Sequence, residues 1–74
     1  MARLYGSALR RDGSKINGTA TITTSWNGNR AYPKEGYYSL DLGNNPRQKI
    51  TVYVDGTTYG VIHVDGDQPY DIQL

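Results

Sequence analysis

The sequence predicts an all-β fold: a small antiparallel, Greek-key-like β-sandwich of six or seven short strands. Three observations carry this. Runs of about five to eight residues rich in Thr, Val, Ile and Tyr suit strands, and they alternate between apolar and polar as half-buried strands do. Turn-forming groups separate the runs: RDGS, NG, WNGN, GNNP, DGTT and DGDQP supply residues that tolerate positive φ or cap their own backbone. No window places apolar residues at i, i+3, i+4 and i+7 over a helical length, which leaves almost no room for helix.

The first strand, 3–9, turns Leu4 and Ala8 inward, with Gly6 between them where close packing needs no side chain. The second, 18–26, puts Ala20, Ile22, Thr24 and Trp26 on one face and Thr19, Thr21, Thr23 and Ser25 on the other. SWNGNRA reads as a tight hairpin, with a short strand near 30–32. Strand 37–42 turns Tyr38, Leu40 and Leu42 inward and leaves Tyr37, Ser39 and Asp41 outside. Adjacent residues of a regular strand point to opposite faces, so these two tyrosines do not form a paired stacking platform. Strand 48–54 buries Ile50, Val52 and Val54 and exposes Lys49, Thr51 and Tyr53; VDGTTYG then makes a tight hairpin into strand 59–64. That strand has two registers. One buries Ile62 and Val64, the other Tyr59, Val61 and His63; the first is preferred because it leaves ionisable His63 in water. The last strand, 70–74, offers Tyr70, Ile72 and Leu74 inward, with Asp71 and Gln73 outward.

A chain of 74 residues holds one domain, 1–74. So short a chain buries only about 60 % of the surface its unfolded form exposes, so its core is small and its stability margin thin. It has no cysteine, hence no disulfide and no thiolate chemistry. No run of about 18 apolar residues exists to span a membrane, and ARLYGSALRRDG after Met1 lacks the apolar core of a signal peptide. The default location is the cytoplasm, with a virion or host cell left open.

Net charge is +1, which gives no general attraction to nucleic acid or membrane. Its distribution is uneven. Residues 1–34 carry Arg3, Arg10, Arg11, Lys15, Arg30 and Lys34 against Asp12, a net of +5. Residues 35–74 carry Glu35, Asp41, Asp55, Asp65, Asp67 and Asp71 against Arg47 and Lys49, a net of −4. Either this asymmetry orients a partner or a second copy, or the folded sandwich interleaves the halves and cancels it.

GSALRRDGSKINGTATI, through Gly6, Asp12-Gly13, Ile16, Gly18 and Ala20–Ile22, resembles the opening of carboxypeptidase regulatory-like domains, also described as transthyretin-like. The strand Gly36-Tyr37-Tyr38-Ser39-Leu40 and the later Val54-Asp55-Gly56 continue the resemblance across essentially the whole chain. It implies a seven-stranded Greek-key-like sandwich acting as a non-catalytic accessory module; related sandwiches bind starch or small hydrophobic hormones. No catalytic residue is implied. Beginning at its own Met1, this chain is read as a stand-alone module.

The residues themselves offer little chemistry. His63 is the only histidine, with Asp65 two positions on. No serine sits in a strand-to-helix elbow, and no second histidine or cysteine completes a zinc set. Asp65, Asp67 and Asp71 in VDGDQPYD are a weak calcium alternative, since the Asp-Gly turn explains most of that spacing. No phosphate-binding glycine loop precedes a helix, and no cofactor is expected. Arg3, Arg10, Arg11 and Lys15, with outward Tyr5 and Tyr37, have the types that hold single-stranded nucleic acid, but the balanced charge disfavours it. Outward Tyr5, Tyr37 and Tyr53, with Tyr32 or Tyr59 and Trp26 at a strand end, have the amphipathic character of protein or glycan contact surfaces. Tyrosine also simply favours strands. The expectation is therefore a non-enzymatic binding or assembly module. Protein–protein contact or self-association is the leading mode and glycan binding the alternative. The expected contact residues are Tyr5, Trp26, Tyr37, Tyr53, Arg10 and Arg11.

Overall fold

In the computed structural model, which describes residues 2–74, the alternating runs fold into seven strands. They are β1 (Ala2–Leu9), β2 (Ile22–Thr24), β3 (Tyr37–Gly43), β4 (Gln48–Val54), β5 (Thr57–Val64), β6 (Gln68–Pro69) and β7 (Ile72–Gln73). One sheet has the order β3-β1-β6, with β7 also pairing β1; the other has the order β2-β4-β5. The chain changes sheet at every connection except the β4–β5 hairpin and the β6–β7 step, which gives the Greek-key-like path.

Alternation sets what is buried. Leu4, Ala8, Tyr38, Leu40 and Leu42 from the first sheet meet Ile22, Ile50, Val52, Val54 and Val64 from the second in a single cluster. The preferred register of β5 holds: Val64 is buried, Ile62 is partly buried, and Val61 and His63 face water. Asp55 and Gly56 close the β4–β5 hairpin with φ of 53° and 81°. Two positive φ values give a turn whose twist matches that of the strands it joins.

Several expectations are corrected. Pairing is antiparallel for β1–β3, β2–β4 and β4–β5, but β6 and β7 run parallel to β1. The chain reaches β6 by crossing from the other sheet, and a crossover permits parallel entry where a hairpin does not. The expected strand 18–26 is only Ile22–Thr24. Gly18 N donates to Pro33 O at 2.6 Å with φ 74°, which bends the approach away from the ladder. Trp26 N donates to Thr24 Oγ1 at 3.3 Å and turns the chain out at the far end. The 30–32 segment is one bridge, Ala31 to Ile22, and SWNGNRA is a wider loop than a tight hairpin. Of the expected strand 70–74 only Ile72–Gln73 is strand, a further short strand, Gln68–Pro69, precedes it, and Leu74 is 45 % exposed where β1 ends at Leu9, opposite Gln73.

Gly6 is fixed by close approach. A Cβ there would stand 2.5 Å from the Tyr70 carbonyl oxygen, and its φ is +154°. Its neighbour Ser7 donates its N–H to Asp71 Oδ1 at 3.0 Å. The absent side chain thus lets the last segment lie directly on β1.

Candidate functional site

The outer face of the β3–β1 sheet carries two of the expected contact residues side by side. Tyr5 pairs with Ser39 and Ser7 with Tyr37, so Tyr5 and Tyr37 are diagonal neighbours, about 7–8 Å apart in such a ladder. Tyr37 is 66 % exposed and Tyr5 41 %. Arg3 lies on the same face, two residues before Tyr5, and donates from Nη1 to Ser39 Oγ at 2.6 Å. The result is an exposed patch of two tyrosines on a face shared with Arg3, Ser7, Ser39 and Asp41.

The other expected residues lie elsewhere. Tyr53 sits on the opposite sheet's outer face, between Thr23 and Thr58, and is partly buried. Arg10 and Arg11 occupy the turn beyond β1, closed by Arg10 N donating to Ser14 O at 2.8 Å. In that turn the Asp12 carboxylate accepts from Ser14 Oγ at 2.6 Å and from Ser14 N at 2.9 Å. The hydroxyl bond first, then the amide bond, hold the Asp12 carboxyl below its ordinary pKa. Trp26 packs against the core, and its indole N–H donates to Leu42 O at 3.0 Å. Sequence alternation had placed it inward; as a free platform it is not presented.

The acidic residues do not converge. Asp71 holds Ser7 N, and Asp65 Oδ1 accepts from Asn45 Nδ2 at 2.7 Å. Among the described residues no group of three Asp, Glu, His or Cys side chains is placed to hold a metal ion. The described residues also enclose no pocket.

Sequence reasoning missed an inner tyrosine cluster. Tyr38 Oη donates to the Tyr70 carbonyl. The Tyr59 and Tyr70 rings meet edge to face with centroids 5.9 Å apart, and Tyr59 Oη accepts from Gln73 N at 2.9 Å. Burial first, then neighbouring Tyr70, push the Tyr38 hydroxyl well above its ordinary pKa; burial also raises Tyr70. Tyr59 reaches this cluster because β5 is irregular there: Tyr53 pairs with Thr58 and Val52 with Gly60, leaving Tyr59 as an extra residue. A bulge turns an extra side chain where alternation alone would not. Neither the bulge nor the long-range pairing leaves a mark in local sequence.

The strand edges differ in how they are covered. Ile22 of β2 exchanges both backbone bonds with Ala31, at 2.8 and 2.9 Å. On β3, Tyr37 exchanges bonds with Lys34 at 2.7 and 3.0 Å. Further along, Trp26 and Asn27 donate to Leu42 O and Asn29 donates to Asp41 O. The β6 edge is two residues long and ends on Pro69. The β5 edge is eight residues long, and among the described residues it pairs with β4 alone.

Compared with protein-family models, curated proteins and solved structures, the chain gives no match.

Proposed function

We propose that this chain is a non-enzymatic binding and assembly module, working through protein–protein contact that includes contact with its own copies. The observation that carries this reading is the Tyr5–Tyr37 patch. Two mostly apolar rings stand exposed on a rigid sheet face beside Arg3, where burying them would release a large area at little entropic cost. The resemblance to carboxypeptidase regulatory-like, or transthyretin-like, domains supports a non-catalytic role. Assembly is favoured by the small core of these short strands, which no disulfide supports and which gains from burying further surface.

A second reading, glycan binding, draws on the same patch, because flat tyrosines bordered by Arg3, Ser39 and Asp41 have the chemistry that stacks on and hydrogen-bonds a sugar ring. Light scattering after size exclusion, over protein concentration, tests the first reading; a glycan array with the Tyr5→Ala, Tyr37→Ala variant as control tests the second. A concentration-dependent mass with no glycan signal supports the assembly reading. A monomer with a glycan signal lost in the variant replaces it.

A further inference from the structure

We infer that two copies of this chain associate by antiparallel pairing of their β5 strands, centred on Ile62, joining two three-stranded sheets into one. The inference rests on the assembly reading above and gives it a second contact surface, the β5 edge, which lies in the other sheet from the Tyr5–Tyr37 patch.

The hydrogen-bond ladder shows which groups are free. Ser25 N donates to Thr51 O, and Thr51 N donates to Ser25 Oγ, both at 3.0 Å; Asp55 N donates to Thr21 O at 2.8 Å. The odd-numbered residues of β4 therefore turn their backbone toward β2. In an antiparallel ladder the alternate residues then serve the other neighbour, so Ile50 and Val52 bond β5. Their partners are Ile62 and Gly60, whereas Val61 faces Thr51 and His63 faces Lys49. Val61 and His63 consequently direct their N–H and C=O groups away from β4, into the open edge.

That edge lacks what usually protects one. Thr57–Val64 contains no proline, no lysine and no carboxylate, and its bulge lies at Tyr59, leaving Gly60–Val64 regular. Long, uncharged, β-branched edges are templates for another strand. Among the described residues the other edges are capped in part, by Ala31 on β2 and by Lys34 and the Trp26–Asn29 loop on β3, or kept to two residues.

A second copy fits the regular stretch. Around a two-fold axis at Ile62, Val61 of one copy faces His63 of the other, and each exchanges both backbone bonds with its partner. Val61, 59 % exposed in one chain, then loses part of that exposure to the His63 side chain opposite it. A two-fold interface needs only self-complementarity, which a strand without opposite charges supplies. A partner selected by charge would find only His63 to engage on this strand.

The experiment uses the whole chain and three variants. Val61→Pro removes an N–H that has no partner among the described residues, and proline is tolerated on the open side of an edge strand. At a protein concentration too low for association its circular dichroism melt should match the parent's, while light scattering at ~100 μM should fall from dimer to monomer. Ile62→Cys introduces the chain's only thiol. Ile62 faces its own copy in a non-hydrogen-bonded pair, so oxidation should give a disulfide-linked dimer. Thr19→Cys, exposed and away from β5, should not. If Val61→Pro fails to fold, the cysteine pair decides alone. A Val61→Pro variant as dimeric as the parent, or an Ile62→Cys yield no greater than that of Thr19→Cys, overturns β5 pairing while the assembly reading stands. A parent that is monomeric at this concentration overturns β5 pairing and the self-association in the assembly reading, and leaves the edge to an extended peptide of another protein.

Discussion

Tyr37 and Tyr38 are neighbours in the chain with opposite fates, and truncating each in turn tests the face assignment of β3. Tyr38 is 5 % exposed and lies in the core cluster, and its hydroxyl binds the Tyr70 carbonyl, attaching the C-terminal segment to the first sheet. Removing a buried aromatic ring costs about 3–5 kcal/mol. At roughly 0.05–0.15 kcal/mol per residue, a chain this long is stable by roughly 4–11 kcal/mol, so Tyr38→Ala should leave a marginal or unfolded protein. Tyr38→Phe isolates the hydroxyl: about 1 kcal/mol for the bond, rising to about 3 if the Tyr70 carbonyl stays dry and unpaired. Tyr37→Ala, at 66 % exposure, should change stability by no more than about 0.5 kcal/mol. Urea denaturation of the four proteins, followed by circular dichroism, gives the order. Equal losses for Tyr37→Ala and Tyr38→Ala, or the reverse order, would refute the burial argument for this strand.

Leu40→Ala, 1 % exposed and paired with Leu4, should lose about 2–5 kcal/mol, and exposed Ser39→Ala beside it almost nothing; equal midpoints in denaturant would contradict the register. Gly6→Ala should be more damaging than its size implies, by about 2–5 kcal/mol, because the new Cβ meets the Tyr70 backbone at a positive φ; an unchanged melting temperature would show that β1 and residue 70 are less closely apposed. Alkali should destabilise the fold. The unfolded tyrosine loses its proton near 10.0 while folded Tyr38 and Tyr70 hold theirs, so their contribution is complete below that value and lost as pH rises toward the folded pKa values. Denaturation midpoints from about pH 9 to about pH 12 should fall, and fall less steeply in Tyr38→Phe; parallel curves would show that the buried hydroxyl is not responsible.

The legible parts of this fold are those governed by alternation and by turns. Val-Asp-Gly-Thr located the β4–β5 hairpin, and the period of two sorted Tyr37 from Tyr38 and His63 from Ile62. Three kinds of feature left no such trace. Isolated apolar residues in loops, such as Ile16 and Ala31, are buried without any periodicity to announce them. The parallel return of β6 and β7 depends on which strand is reached across the sandwich, a contact between residues more than sixty apart in sequence. The separation of Tyr5 and Tyr37 from Tyr53 follows from strand order, which alternation along each strand does not reveal. The expected charge asymmetry meets a similar limit, since each sheet draws strands from both halves of the chain.

The most direct test of assembly through β5 is residue-resolved amide exchange by NMR at ~10 μM and at ~1 mM, since association protects by mass action. Among the described residues of one chain the amides of Val61 and His63 have no acceptor, whereas that of Ile62 bonds β4. With β5 pairing, Val61 and His63 become slow to exchange as concentration rises, while Ile62 is protected throughout. Rapid exchange of Val61 and His63 at both concentrations would contradict it.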